Sequence, residues 1–183
     1  NYTVTHVNGT LSVTTKLVPV VTWSNPAAIT YGVALSSTQL NASADVAGSF
    51  SYSPALGTVL SAGQGRTLSV TFTPNDTLNY ESITVVVGID VVKAPLTVRA
   101  DDQSKAYGAA VPSFTATLSG FVNGDTVASL DTPLSFTTTA AVSSNAGTYA
   151  ITPGGASDGN YTISFQTGTL TVTKAALTIR ADD

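Results

Sequence analysis

The sequence has no cysteine and no methionine, and it has one histidine, one tryptophan and one glutamate. Without cysteine, the chain can form no disulfide, no thiolate metal site and no cysteine nucleophile. The single histidine, His6, cannot build a site with several histidine ligands, and histidine catalysis would depend on it alone. We therefore predict that the protein is not an enzyme and that it uses no cofactor.

Charge is also scarce, because only 10% of residues are charged and 7 basic residues stand against 11 acidic ones. The basic residues are scattered singly, which excludes a stripe that follows a phosphate backbone and makes nucleic acid an unsuitable partner. The longest apolar stretch, 85–92, contains Gly88 and Asp90 and is too short to cross a membrane. The N-terminus shows no secretion signal, so we expect a segment of a longer protein.

Small hydroxyl residues are abundant instead, with 30 threonines and 20 serines. In segments such as 67–72, 161–165 and 169–173 they alternate with apolar residues, which is the period of a half-buried β-strand. Asn8-Gly9 lies between two alternating runs and predicts a two-residue hairpin turn. Helical periodicity is absent. The pattern predicts an all-β chain of immunoglobulin-like antiparallel β-sandwiches.

The chain repeats itself with a period of about 80 residues, a length that suits a small β domain. Lys93–Asp102 returns almost unchanged as Lys174–Asp183. We predict two complete units, 17–94 and 95–175, between the C-terminal hairpin of a preceding repeat, 1–16, and the first strand of a following repeat, 176–183. Only two residues, Lys93-Ala94, are expected between the last strand of one unit and the first strand of the next, so we expect a semi-rigid rod.

Residues 95–175 carry an ordered series of motifs, namely Leu96–Gly108, Ser119–Asp125, Ala146–Tyr149, Asn160-Tyr161 and Thr171–Lys174. This series resembles the MBG repeat, a mostly β, glycine-containing domain found in tandem in large bacterial surface proteins. Residues 17–94 resemble a bacterial immunoglobulin-like repeat through Val21–Trp23, Ile29–Gly32 and Val70–Pro74. The resemblance implies an extracellular or cell-surface array in a bacterium, and it brings no catalytic residues.

Two acidic pairs are candidate metal ligands: Asp101-Asp102 and its repeat Asp182-Asp183. Oxygen ligands of this kind suit Ca²⁺, and an ion next to the connection between units could stiffen it. However, no Asp-x-Asp-x-Asp-Gly loop accompanies either pair. Arg99 and Lys105 lie close in sequence, and the alternative interpretation is ordinary charge compensation at a polar turn.

Recurrent aromatic residues have structural interpretations. Tyr2, Tyr80 and Tyr161 follow asparagine in three repeats, and we interpret them as corner tyrosines that bury the ring and bond upstream backbone. Tyr31-Gly32 and Tyr107-Gly108 recur 76 residues apart. We expect these two tyrosines to pack alike, with the glycine adopting a backbone conformation that other residues avoid.

Two further groups of residues have a functional and a structural interpretation. Trp23 is a candidate ligand for a carbohydrate, or else a residue of the sandwich core. Lys105, Asn123 and Asp125 are the residue types of an intramolecular isopeptide crosslink, or else Asn123-Gly124-Asp125 forms a turn.

Three functions follow as hypotheses. The first is a structural and adhesive stalk whose partners are the neighbouring repeats of the same array. The second is an extracellular fibre in which copies of the chain join by strand addition through the terminal segments. The third is a carbohydrate-binding module for surface glycans, in which Trp23, Tyr52 or Phe121 would contact the sugar.

Overall fold

The computed structural model describes residues 1–5 and 15–181 and shows the predicted all-β class. Most of the predicted N-terminal hairpin, with His6 and the Asn8-Gly9 turn, lies outside the described residues. Asp182 and Asp183 also lie outside them.

Two sheets are built from residues 21–92. The strands are β1 Val21–Thr22, β2 Ile29–Thr30, β3 Ser43–Ala44, β4 Gly48–Ser53, β5 Gly63–Pro74 and β6 Ile83–Val92. β1 pairs with β3 in a small sheet, and the larger sheet has the strand order β2-β6-β5-β4. We call this part of the molecule the first unit.

Two more sheets are built from residues 94–173, which we call the second unit. The strands are β7 Ala94–Ala100, β8 Gln103–Ala106, β9 Ala116–Ser119, β10 Ser135–Thr137, β11 Gly147–Gly154, β12 Tyr161–Gln166 and β13 Gly168–Thr173. One sheet has the order β12-β7-β9 and the other the order β10-β11-β13-β8. A 3₁₀ turn at Val127–Ser129 lies between β9 and β10.

The alternation of apolar and hydroxyl residues separates the two faces of the strands. In β5, Leu68, Val70 and Phe72 are fully buried, while Thr67 and Thr71 are exposed. β13 repeats the pattern, with Leu170 and Val172 facing the core. Because successive side chains of a strand point to opposite faces, the hydroxyls form the solvent side of the sheets.

The expectation of antiparallel sandwiches needs a correction, because three of the strand pairs among residues 15–181 are parallel. β2 runs parallel to β6, β7 to β12, and β8 to β13. Each pair joins a strand from the start of a unit to one from its end. Parallel and antiparallel strands show the same alternation of apolar and hydroxyl residues. The alternation depends on which face of a strand is buried and not on the direction of the neighbouring strand.

The two units place equivalent residues in the same hydrogen bonds. The amide of Leu17 donates to Asn79 O at 2.7 Å, and the amide of Ala94 donates to Asn160 O at 2.9 Å. The amides of Tyr31 and Tyr107 likewise donate to the carbonyl oxygens of Val92 and Thr173, at 2.9 and 2.8 Å. The units are therefore built on one plan. The exact limits proposed from the sequence stay a prediction.

One hydrophobic cluster extends through both units. It joins first-unit residues such as Leu68 and Ile89 to Ala94, Leu96 and Tyr161 of the second unit. A smaller cluster, centred on Ala100, Ile151 and Leu170, lies between the two sheets of the second unit. The contact region between the units is thus part of the core and not a solvated linker.

Candidate functional site: the joint between the units

The centre of the joint is a tight turn of the second unit, Val122–Asp125. The amide of Asp125 donates to Val122 O at 3.0 Å, which closes the turn. Asn123 and Gly124 have φ angles of 56° and 77°. Asparagine and glycine tolerate positive φ at both central positions, as a type I′ turn requires, and so this dipeptide forms the turn at little cost. The turn projects the Asp125 side chain toward the first unit.

Two tyrosines, one from each unit, donate to the carboxylate of Asp125. The hydroxyl of Tyr31 is 2.9 Å from Asp125 Oδ2, and the hydroxyl of Tyr161 is 2.7 Å from the same oxygen. The Tyr161 oxygen in turn accepts from the amide of Val122 at 3.1 Å. Hydrogen bonds with a charged acceptor are stronger than neutral ones, so Asp125 connects the units more firmly than an amide would.

The aromatic rings of Tyr31 and Tyr161 are also in contact with each other. Tyr31 and Tyr161 meet edge to face with 5.4 Å between the ring centroids. Phe121 also meets Tyr161 edge to face, with 5.5 Å between the ring centroids. Edge-to-face aromatic pairs stabilise a contact by about 0.5–1.5 kcal/mol beyond the area that they bury.

Burial and the nearby carboxylate change the acidity of both tyrosines. Burial is the largest influence on Tyr161, and with the help of Asp125 it raises the pKa to about 12. For Tyr31 the amide of Asn123 is the largest influence and lowers the pKa, but burial and Asp125 together outweigh it, and the pKa is raised. Both hydroxyls therefore stay protonated, and able to donate, through the neutral range.

Gly32 brings the two backbones into close approach. Its φ of +93° lies in the region that favours glycine, and a Cβ there would lie 2.5 Å from Val122 Cγ2. Any side chain at this position would push the second unit away from the first. Glycine is thus required both by the conformation of the turn and by the contact across the joint.

Polar contacts at the edge of the joint add to this core. The amide of Ala62 in the first unit donates to Asn160 Oδ1 of the second at 2.9 Å. The ammonium group of Lys93, which lies between β6 and β7, donates to Asp158 O at 3.1 Å. The joint comprises Tyr31, Gly32, Ala62, the turn at 122–125, Asn160 and Tyr161.

The repeated tyrosines differ in their surroundings. Tyr161 is buried in the joint, Tyr80 is half-buried next to Leu17, and Tyr2 is fully exposed. The expectation that Tyr31 and Tyr107 pack alike is wrong, because Tyr31 is 7% exposed and Tyr107 is 49% exposed. Their backbones match, but Tyr31 is covered by the second unit. No described residue covers Tyr107 in the same way.

The acidic pair Asp101-Asp102 is held by separate hydrogen bonds. Asp101 accepts from the hydroxyls of Thr115 and Thr117 at 2.7 and 2.8 Å, and these bonds lower its pKa. Asp102 accepts from the amide of Thr169 at 2.7 Å. Within the described part of the chain, no group of three potential ligands from Asp, Glu, His and Cys comes together. The binding of Ca²⁺ stays a prediction without geometric support, and Asp182 and Asp183 lie outside this range.

Trp23 belongs to the core of the first unit. Its indole nitrogen donates to Gln39 O at 3.0 Å, and its ring meets Tyr52 edge to face at 5.4 Å. Because Trp23 is 8% exposed, it offers no open face to a sugar, which corrects the ligand interpretation. Of the other two aromatic residues considered for a glycan, Tyr52 packs against Trp23 and Phe121 packs against Tyr161 at the joint.

Lys105 and Asp125 do not meet. The Lys105 ammonium donates to the carbonyl oxygens of Ala109 and Val142 at 2.9 and 3.2 Å, while Asp125 accepts from the two tyrosines. The lysine and the acid that an isopeptide crosslink needs side by side thus have separate hydrogen-bond partners. Asn123-Gly124 forms the turn of the alternative interpretation.

Comparison with known families gives one match. Residues 96–171 match the model of the MBG domain, YGX type, so the resemblance seen in the second unit is confirmed. This is a structural type of domain that occurs in bacterial surface and repeat proteins. No curated protein matches the chain. Among residues 1–5 and 15–181, no helix is long and apolar enough to cross a membrane.

Proposed function

We propose that the chain is a stretch of a semi-rigid extracellular stalk in a bacterial surface protein, in which successive β units are held end to end by joints like the one described. The observation that carries this proposal is the carboxylate of Asp125, which accepts from Tyr31 of one unit and Tyr161 of the other at 2.9 and 2.7 Å. A joint with a directed hydrogen-bond centre sets the angle between units as well as their distance.

Continuity of the chain at the joint supports the same function. β6 ends at Val92 and β7 begins at Ala94, so one residue separates the last strand of one unit from the first strand of the next. The shared hydrophobic cluster gives hinge motion a cost, since bending would expose buried apolar surface. A protein of this kind works through length and stiffness, and a catalytic pocket is not needed.

Nuclear magnetic relaxation and small-angle X-ray scattering test the proposal together. We expect the amides of both units to report one rotational correlation time. The scattering should give an elongated particle of about 60 Å, since a strand of nine residues extends about 30 Å. The matched control is a chain with Gly-Ser-Gly-Ser inserted between Lys93 and Ala94, which should tumble as two bodies. Two correlation times in the native chain, or a particle with the units side by side, contradicts the rod.

A location on the cell surface is the second part of the proposal. Its support is the MBG family match, since such domains occur in surface proteins. Protease treatment of intact cells that produce the protein should release peptides of both units, whereas a cytoplasmic marker protein stays intact. Release of peptides only after lysis contradicts this location.

A fibre subunit is a second candidate, and exposed apolar side chains near the C-terminus favour it. Leu177 and Ile179 are 86% and 85% exposed, and unpaired segments with such side chains add readily to a sheet edge. Size-exclusion chromatography with light scattering tests this function, which predicts oligomers that grow with concentration. A monomer at high concentration excludes it.

A further inference from the structure

We infer that Tyr107, Gly108 and Val142, which we call the distal corner, form a docking site for the turn of an MBG-type unit that follows residue 175 in the same chain. This inference rests on the proposed function, and it names the partner at a particular surface. The occupant is a turn with the chemistry of Val122–Asp125, presenting a valine to Gly108 and a carboxylate to the hydroxyl of Tyr107.

The distal corner has the same backbone as the corner that is occupied in the joint. Tyr31 and Tyr107 both donate their amides to the last strand of their own unit, at 2.9 and 2.8 Å. The glycine that follows has a φ of +93° at Gly32 and +81° at Gly108. Both tyrosines come directly after a strand that is parallel to the last strand of the unit, at β2 and at β8. The two corners therefore present tyrosine and glycine in the same local arrangement.

The two corners differ in what lies on them. A Cβ at Gly32 would lie 2.5 Å from Val122 Cγ2, whereas a Cβ at Gly108 would meet no atom within 4 Å. Tyr107 and Val142 are 49% and 51% exposed, so an aromatic and an aliphatic side chain lie next to this open glycine. The distal corner thus leaves open at Gly108 the position that Val122 occupies at Gly32 in the joint, with two exposed apolar side chains beside it.

The distal corner is held in place without an occupant. The ammonium group of Lys105 donates to Ala109 O and to Val142 O, at 2.9 and 3.2 Å, and so bridges the two segments that form the corner. The amide of Gly108 also donates to Val142 O at 3.3 Å. A surface that is already ordered loses little conformational entropy when a partner docks.

The sequence that leads out of the second unit places the occupant. Lys93–Asp102, which connects the first unit to the second, is repeated as Lys174–Asp183. In the joint this connection brings Val122 and Asp125 onto the first corner. The same connection after Thr173 directs a following unit of the same type onto the distal corner.

The experiment extends the full chain by one unit. Asp182-Asp183 repeats Asp101-Asp102, so a copy of residues 103–175 attached after Asp183 completes a further MBG unit. In the added copy the tyrosine equivalent to Tyr107 is replaced by phenylalanine, so that only Tyr107 itself reports. Nitration by tetranitromethane is then located by fragmentation mass spectrometry in the original and the extended chain.

We expect nitration of Tyr107 to slow by about tenfold or more in the extended chain, because a docked ring reacts only when the contact opens. Tyr31, 7% exposed, and Tyr2, fully exposed, serve as the protected and the reactive control in both chains. Unchanged nitration of Tyr107, with Tyr31 protected, overturns the inference and leaves the stalk function standing. Protection in the original chain that rises with protein concentration also overturns it, since a second copy is then the occupant.

A pair of glycine variants gives an independent readout. Gly108→Ala and Gly57→Ala impose similar backbone strain, because their φ angles are +81° and +86° and both Cβ positions are open. In the extended chain we expect Gly108→Ala to lower the urea midpoint of the added unit and to restore nitration of Tyr107, while Gly57→Ala does neither. Equal behaviour of the two variants contradicts docking at Gly108.

Discussion

Two copies of nearly the same peptide have opposite environments in this molecule. Leu96 and Val98 are fully buried in β7, and their counterparts Leu177 and Ile179 are 86% and 85% exposed. In the second unit β7 lies between β12 and β9, whereas 175–181 has no such neighbours among the described residues. The same apolar alternation thus forms part of the core in one place and lies in an exposed segment without strand structure in the other. Burial is a property of the partner strands that the fold supplies, and the joint and the distal corner differ for the same reason.

The largest effect that we predict tests this contrast directly. Leu96→Ala should lower the free energy of unfolding by about 3 kcal/mol, because it leaves a cavity in the cluster shared by both units. Leu177→Ala should change it by less than about 0.5 kcal/mol. Urea denaturation followed by Trp23 fluorescence for the first unit and by amide exchange for the second measures both. Equal losses for the two variants show that residues 175–181 are buried in solution.

The next effect concerns the carboxylate at the joint. Asp125→Ala leaves the hydroxyls of Tyr31 and Tyr161 without their shared acceptor, and we expect a loss of about 2 kcal/mol. Asp131→Ala is the matched control, because Asp131 accepts from the amide of Gly159 in an exposed loop of one unit. Relaxation measurements should also show looser coupling of the units in Asp125→Ala alone. If the Asp125→Ala chain keeps its stability and both units keep one correlation time, apolar contacts alone hold the joint together.

Alkaline pH should weaken the joint through Tyr161. Its pKa is 10.0 in an ordinary environment and about 12 in the folded chain, so the unfolded chain loses the proton first as the pH rises. The contribution of Tyr161 to the free energy of unfolding is fully present below pH 10 and is lost toward pH 12. At pH 11 the free energy of unfolding is lower by about 1 kcal/mol. Tyr31, with its pKa raised, acts in the same direction. Urea titrations at pH 9 and 11 measure the loss, which should be smaller in Tyr161→Phe. An unchanged pH dependence in this variant contradicts the assignment.

The smallest effect lies at the distal corner. Lys105→Met keeps the aliphatic stem but removes the donor to Ala109 O and Val142 O, and we expect a loss of about 1 kcal/mol. Lys93→Met is the control, because the Lys93 ammonium makes one exposed bond to Asp158 O and should matter little. Amide exchange at Gly108 should quicken in Lys105→Met only. A corner that keeps its exchange rate is held by its backbone bonds alone.

Much of the fold was predictable from the residues themselves. Alternation of hydroxyl and apolar side chains identified the segments that form β5, β12 and β13. The motifs of 95–175 indicated the MBG family, which the family comparison supports over 96–171. These features are local, because each depends on neighbours along the chain or on a fixed period.

The candidate site was much less predictable. Asn123-Gly124 predicted a turn, but nothing along the chain links Asp125 to Tyr31, which is 94 residues away. The recurrence of Tyr-Gly was visible, yet it suggested that Tyr31 and Tyr107 share an environment, and they do not. The glycine after Tyr31 was the one local indication of the joint, because a glycine allows another segment to approach closely. It does not indicate which segment that is.

The sequence by itself determined several of the strands, their solvent faces, the repeated plan of the units and the lack of any cysteine. These follow from side-chain chemistry and from a period of two along the chain. Tertiary structure alone decided which strands run parallel, which tyrosine is covered and which copy of a repeated peptide is buried. Those outcomes depend on contacts between distant segments, and identical side chains make them only where the fold places a partner within reach.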